Sequence, residues 1–189
     1  QMVSKGLDFE NVTLVGVVNA DNLLTFPDFR AYERAYQLLT QVSGRAGRRQ
    51  KQGRVVIQTM MPDNPVLKAL EKDFEPFFRS QLPERQAVGY PPFTRLLRID
   101  LRHKDRNYIL TESTRLLNLL RPVFGQNLLG PDFALVPRVR NEYRMQFLVK
   151  VSKRTATAYL RDRLEEVVDR YYQAAPKKSL RILFDVDPQ

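Results

Sequence analysis

The sequence predicts an α/β region followed by an α+β region. A partial α/β layer covers residues 1–62, a helical linker 63–92, and a domain of order β-α-β-β-α-β 93–189. Three observations carry this. Two short apolar runs, Val12–Val18 and Val55–Thr59, flank a helical stretch, as expected of a strand–helix–strand unit whose strands are buried on both faces. Pro83, Gly89, Pro91 and Pro92 crowd one segment, which restricts the backbone between two patterned regions. Beyond residue 93, segments of period 2 and period 3.6 follow in the order of the split βαβ motif.

Each element has its own reason. Asp28 is placed to cap the first long helix, where Tyr32, Tyr36, Leu39 and Val42 form an apolar stripe and Gly44 ends the run. Asp63-Asn64-Pro65 opens another helix, with proline at its favoured first position. Val66, Leu67, Leu70, Phe74, Phe77 and Phe78 give that helix an apolar side, and Pro76 is expected to kink or end it. Those aromatics read as packing rather than as a ligand box. Phe93–Arg102 alternates as a strand with Leu97, Ile99 and Leu101 on one face. Asn107–Arg121 is a helix with Leu110, Leu117 and Leu120 inward, closed by Pro122. Strands Ala134–Arg140 and Tyr143–Val151 meet at an Asn141-Glu142 turn. Thr155–Tyr172 is a helix presenting Leu160, Leu164, Val167, Val168 and Tyr171, and Ser179–Val186 a strand with Leu180, Ile182, Phe184 and Val186 inward. Both helices should cover one face of a four-stranded antiparallel sheet. In residues 1–62, by contrast, a pair of strands does not make a stable sheet alone, so further strands are expected from sequence outside this chain.

Composition narrows the partners. The net charge of +10 and pI near 10.0 favour a polyanion. With no cysteine there is no disulfide framework and no Cys-based zinc site, which fits a reducing cytoplasm. No apolar run approaches the roughly 20 residues of a membrane span, so no membrane is expected as a partner.

The stretch with the most chemistry is Gln41-Val42-Ser43-Gly44-Arg45-Ala46-Gly47-Arg48. Two arginines, each behind a glycine, offer planar forks that fit phosphate on a backbone able to turn sharply. Such a pair can act as an arginine finger in phosphoryl transfer. It can equally be a helix C-cap followed by a solvated basic loop. Upstream, Lys5-Gly6-Leu7-Asp8-Phe9 runs into the first apolar strand. The order and separation resemble motifs five and six of superfamily-two helicases. Ser4–Val15, Pro27–Arg34, Gln37–Arg48, Leu82–Arg85, Gly89–Phe93 and Asp185–Pro188 extend the likeness over nearly the whole chain, to the primosomal replication-restart helicases.

That resemblance implies a parent that is an ATP-dependent 3′→5′ DNA helicase, which binds stalled or repaired forks and restarts replication by primosome assembly. It implies a RecA-like second lobe for residues 1–62 and an S10-like fold for the last domain. Arg48, with Arg45, would be the catalytic finger. Gln41 and Gly44 would contact nucleotide, while Gly6 and Asp8 would form the loop coupling nucleotide to DNA. ATP and Mg2+ are its cofactors, and zinc is expected in the parent outside this chain. Partners would be forked and single-stranded DNA, primosome proteins and the acidic tail of the single-stranded DNA-binding protein. The location would be cytoplasmic and nucleoid-associated. The chain opens inside a motif and reads as a piece of a longer protein. It contains no G-x-x-x-x-G-K-[S/T] loop and no acidic strand for magnesium. A non-catalytic DNA-binding or partner-docking module is therefore the rival reading for these residues alone.

The last domain adds a second candidate. Strand alternation gathers Arg98, Arg102, Arg144, Lys150 and Arg181 on the sheet face away from the helices, with Arg138 and Arg140 at its rim. A basic sheet without interleaved aromatics can track phosphates but not stack bases. The alternative is a solvated face. Lys153 and Arg154, at the start of the last helix, are candidates for an acidic protein tail. His103 is expected to be exposed, and Glu165-Glu166, diverging around a helix, is a poor acid/base pair.

Overall fold

The computed structural model describes residues 12–46, 53–71, 74–174 and 179–188. Gly6, Asp8 and Arg48 lie outside the described residues. The chain divides into two compact units, Gln1–Pro83 and Glu84–Gln189. It is mixed α/β.

In the first unit, β1 (Leu14–Val17) pairs in parallel with β2 (Arg54–Ile57). Helices α1 (Asp21–Leu24) and α2 (Ala31–Ser43) lie between them in sequence, followed by α3 (Pro65–Leu70) and α4 (Phe74–Ala87). Asp21 ties the layer together: its carboxylate accepts from the Thr59 hydroxyl and, at 2.9 Å, from the Met60 amide. The apolar runs predict strands buried on two faces, yet Leu14 and Val56 are 61% and 57% exposed. Among the described residues nothing covers their second face. The stripe of α2 is also shifted. Ala31, Ala35 and Leu39 are buried, while Tyr32 and Tyr36 flank them. Small residues let α3 approach closely, and the tyrosines pack on Phe77 and Phe74 at ring separations of 6.3 and 4.4 Å. The phenylalanines are thus core of this unit, together with Val66 and Ala69.

Asn64 caps α3 by accepting from the Val66 amide at 2.9 Å, with Pro65 at the first position. Pro76 neither kinks nor ends a helix, because it sits in the first turn of α4, where no intrahelical N–H is needed. Helix α4 continues through Pro83, so the segment assigned to a linker is largely helical and the division between the units falls inside it.

The second unit contains β3 (Thr94–His103), α5 (Arg106–Phe124), β4 (Leu128–Val139), β5 (Glu142–Ser152), α6 (Thr157–Ala174) and β6 (Arg181–Val186). The four strands pair antiparallel in the order β4-β5-β3-β6. Leu97, Ile99 and Leu101 of β3, with Phe147 and Val149 of β5, are fully buried against Ile109, Leu116 and Leu120 of α5 and against Leu164 and Tyr171 of α6.

The second unit departs from several expectations. Helix α5 starts at an Asp105 cap that accepts from the Asn107 and Tyr108 amides. It passes Pro122, which forfeits the bond to the carbonyl four residues back, and ends at Phe124 with Gly125 as its C-cap. Its fully buried stripe is Ile109, Glu112, Ser113, Leu116 and Leu120; the expected Leu110 and Leu117 also pack against this core but are only partly buried. Strand β4 begins at Leu128, before Gly130-Pro131, because the sheet absorbs that dipeptide as an irregularity between Leu129 and Asp132. The hairpin turns on Arg140 and Asn141, both with positive φ, the geometry of a tight two-residue loop. Phe184 and Val186 pair with Ile99 and Leu97 on the helix side, but remain 42% and 43% exposed because β6 is an edge strand. His103 is not simply solvated. Its Nδ1 accepts from the Asp105 amide at 2.9 Å, and its ring lies 4.3 Å from that of Tyr108.

One polar pair is sealed in this core. The Tyr171 hydroxyl donates to Glu112 Oε2 at 2.7 Å, with both residues 2% exposed or less. Burial, then the neighbouring Glu112 carboxylate, push the Tyr171 phenol up from its ordinary value.

This packing makes two sites testable. Gly130 has φ +94°, and a Cβ there would lie 2.7 Å from the Gln146 carbonyl oxygen. Gly130→Ala should therefore cost about 2 kcal/mol or more and lower the melting midpoint by roughly 10 °C; an unchanged midpoint would mean that the bulge relaxes freely. Tyr171→Phe strips a donor from a buried carboxylate and should cost about 1–3 kcal/mol at neutral pH. An unfolded tyrosine ionises near pH 10 while the folded Tyr171 stays neutral, so its stability is present below about pH 10 and lost as pH rises beyond it, by about 1.4 kcal/mol per pH unit. Denaturant midpoints measured from pH 9 upward should fall more steeply for the native chain than for Tyr171→Phe, and parallel curves would contradict this.

Candidate nucleic-acid interface

The open face of the second sheet is built by the even-numbered residues of β3. Leu96, Arg98, Asp100 and Arg102 alternate with the buried Leu97, Ile99 and Leu101. Register then sets their neighbours. Arg102 lies opposite Arg144 on β5 and opposite Arg181 on β6, so three arginines form a row across three strands. Like charges directly opposite one another destabilise a sheet, so the row requires compensation. Arg181 pairs with Glu142. Arg98 pairs with Asp185 at 2.6 Å. Asp100 Oδ2 lies 3.6 Å from both Arg98 and Arg144.

The expected basic patch is therefore neither uniform nor complete. Of its seven predicted members, Arg98, Arg102, Arg144 and Arg181 come together. Lys150 is on the same face, but its Nζ donates to the Val88 carbonyl and sits 4.5 Å over the Tyr90 ring. That strap of residues 88–90 meets the end of the sheet where Leu96 is buried. Arg138 pairs with Tyr143 in register, on the helix side, and stacks 5.1 Å over its ring. Arg140 is in the hairpin turn. Asp100, Asp132, Glu142 and Asp185 share the open face by register. Five cations thus face four carboxylates there, and the face is close to charge balance.

Sequence reasoning missed the acids. The signal was present in Arg98-Ile99-Asp100-Leu101-Arg102, since strand alternation that selects the arginines selects Asp100 with them. Asp185 and Glu142 needed the pairing register and could not be read locally.

At the far end of the same sheet, Lys153 and Arg154 are exposed in the turn before α6. Nearby, Arg95 joins Asp187 at 3.3 Å to the Thr157 hydroxyl at 3.1 Å. On α6, Glu166 bonds Arg163 and Arg170, at 3.0 and 2.6 Å, rather than acting with Glu165.

In the first unit, Gln41 and Gly44 lie at the C-terminal end of α2, and Arg45 follows with its amide bonded to the Val42 carbonyl at 3.1 Å. Gly44 has φ −65°, so no left-handed turn demands glycine there. A cleft of about 540 Å³ is lined by Leu23, Phe26, Ala35 and Leu38 with Arg34 and Gln41. It is mainly apolar, and Arg34 is held by Asp28 at 2.8 Å. Among the described residues no group of His, Cys, Asp or Glu could hold a metal ion, and no helix is long and apolar enough to cross a membrane.

Comparison with known proteins adds what geometry does not. The family model described as the primosomal protein N C-terminal domain matches residues 86–189, more than half of the chain and nearly all of the second unit. The chain belongs to this family. Members similar to it include the replication restart protein PriA of Bacillus subtilis, 36% identical over 191 residues, and that of Haemophilus influenzae, 38% identical over 194 residues. Both alignments cover 100% of this chain but only 23% and 26% of those proteins. The PriA protein of Treponema pallidum is 42% identical over 154 residues, 79% of this chain. The chain thus spans about a quarter of the length of the PriA relatives it matches.

Proposed function

We propose that this chain is the C-terminal portion of a replication-restart helicase: an ATP-dependent 3′→5′ DNA helicase that recognises stalled or repaired forks and reloads the replisome through primosome assembly. The observation that carries the reading is the likeness to proteins named replication restart protein PriA along the full chain, at 36% identity to the Bacillus relative. The family-model match supports it for the second unit.

Within that reading, the first unit is the tail of the second RecA-like lobe. Support comes from its parallel strands, the intervening helices, and the apolar side chains that β1 and β2 leave exposed, which neighbours in a larger sheet would cover. Arg45 and Arg48 neutralise charge on the transferring phosphoryl group of ATP, Gln41 and Gly44 position it, and Gly6 and Asp8 couple it to DNA. Mg2+ and zinc belong to regions of the parent outside this chain. The second unit has a split βαβ, S10-like fold whose arginine face follows phosphate without base readout, in keeping with the absence of stacking aromatics. Lys153 and Arg154 receive the acidic tail of the single-stranded DNA-binding protein. Their exposure, together with the uncovered Phe184 and Val186 on β6, favours a tail that ends in apolar residues. The work is cytoplasmic and nucleoid-associated.

On its own the chain acts as a binding and docking module, because the 189 residues contain no P-loop. It should turn over no ATP, with or without DNA. In the full-length parent, Arg48→Ala should lower kcat by about 10³-fold, and retention of half the turnover would remove Arg48 from the finger. For the sheet, Arg102→Glu with Arg144→Glu should weaken binding to single-stranded DNA of any sequence alike and flatten the salt dependence by about two phosphates' worth. Arg138→Glu, on the other side of the sheet, should have much less effect. Equal losses from Arg138 and from the Arg102–Arg144 pair would show that bulk charge, not this face, holds the DNA.

A further inference from the structure

We propose that Asp100 is the positioning residue of a discrete phosphate seat, in which one buried carboxylate sits between the guanidinium groups of Arg98 and Arg144, with Arg102 beside them, for a single phosphodiester group. The proposal rests on the DNA-binding reading of the sheet face. It adds a defined place on that face and a residue whose own charge is wrong for the ligand.

Several polar groups at this place are unsatisfied. Asp100 is 5% exposed, at the middle of the central strand. Its Oδ2 is 3.6 Å from Arg98 Nε and from an Arg144 Nη, too far for a hydrogen bond to either. Its Oδ1 is buried without a protein partner, as are the Nε atoms of Arg98, Arg102 and Arg144. Three donors and one acceptor therefore sit in one patch, shielded from solvent and unsatisfied by each other. Each such group costs about 1–3 kcal/mol, and folds rarely gather several in one place without a use.

The chemistry of the three donors selects the ligand. They are guanidinium groups on adjacent strands, with Arg102 and Arg144 directly opposite in register. A tetrahedral oxyanion carries enough acceptor oxygens to take bonds from the exposed N–H groups of several forks at once, while their Nε atoms stay buried against the sheet. Asp100 supplies the charge that lets like guanidiniums stand side by side before the anion arrives. Arg102, central in the row, forms no ion pair with any described residue. Near charge balance on the face, five cations against four carboxylates, means that attraction must come from placement rather than from the sum of charge.

The test compares two substitutions that change net charge identically. Asp100→Asn and Asp132→Asn each remove one negative charge from the same face, and Asp132 pairs with none of the three arginines. The probe is a labelled oligothymidylate of about 16 nucleotides, titrated with the whole chain at low salt. Diffuse electrostatics predicts tighter binding for both. The phosphate seat predicts tighter binding for Asp132→Asn and roughly tenfold weaker binding for Asp100→Asn. Asp100→Glu keeps the charge but moves the carboxylate, and Arg102→Lys keeps the charge but removes the planar fork of donors. Both should weaken binding about five- to tenfold with the fold intact by circular dichroism, and they decide the matter if Asp100→Asn does not fold. Tighter or unchanged binding for Asp100→Asn, or parental affinity for the two charge-conserving variants, overturns the seat. If Arg102→Glu with Arg144→Glu also leaves affinity unchanged, the DNA-binding reading of the face falls with it.

Discussion

Everything in the second unit depends on the two-residue repeat of β3. The strand is central, with β5 on one side and β6 on the other, so both of its faces are constrained along its length. Leu97, Ile99 and Leu101 point into the helix layer and are fully buried. The residues between them are therefore forced onto the other face, where Arg98, Asp100 and Arg102 meet partners dictated by register. A slip of one residue would exchange the two sets, placing charge in the core and leucine on the surface. The apolar core thus fixes the arginine row: the energy that seats Phe147 and Val149 beside β3 also holds Arg144 opposite Arg102.

The first unit is organised differently. Its core is small, made of Ala20, Leu24, Ala35, Leu39, Val66, Ala69 and Phe77, and it lies on the helical side of a two-stranded sheet. Alanines on α2 and α3 allow close approach, and the aromatic rings of Tyr32, Tyr36, Phe74 and Phe77 close the rim. Among the described residues nothing comparable lies over the far side of β1 and β2, where Leu14 and Val56 are exposed. An apolar parallel pair with one bare face needs more sheet or more helix to be stable. The helicase reading supplies both from the rest of a RecA-like lobe.

The elements legible in the sequence are those fixed by local periodicity. Alternation through Phe93–Arg102 and Tyr143–Val151 identifies two strands and their inward faces, and the Asn64-Pro65 start of α3 follows from capping chemistry. What sequence misses depends on distant neighbours. Burial of β1 and β2 requires covering layers that the described residues do not provide. Pro76, Pro83 and Pro122 look like breakers in sequence, but Pro76 sits in the first turn, where no intrahelical bond is lost, and α4 and α5 pass through Pro83 and Pro122. The basic face is half legible. Alternation finds the arginines and selects Asp100 with them, but Glu142 and Asp185 reach them only through cross-strand register. Simple alternation puts Arg138 at a rim; it lies instead on the helix side, because the bulges in β4 shift its register after Phe133.

In the proposed seat, Arg98, Arg102 and Arg144 together meet phosphate through their guanidinium groups. Nε–Hε resonances of arginine report on those groups directly. Titration of the isotopically labelled chain with single-stranded oligonucleotide at low salt should shift the Nε–Hε signals of these three residues in concert and protect them from exchange, while those of Arg163 and Arg170 on α6 stay in place. Shifts spread evenly over surface arginines, with Arg98, Arg102 and Arg144 unmoved, would contradict a phosphate site on this sheet.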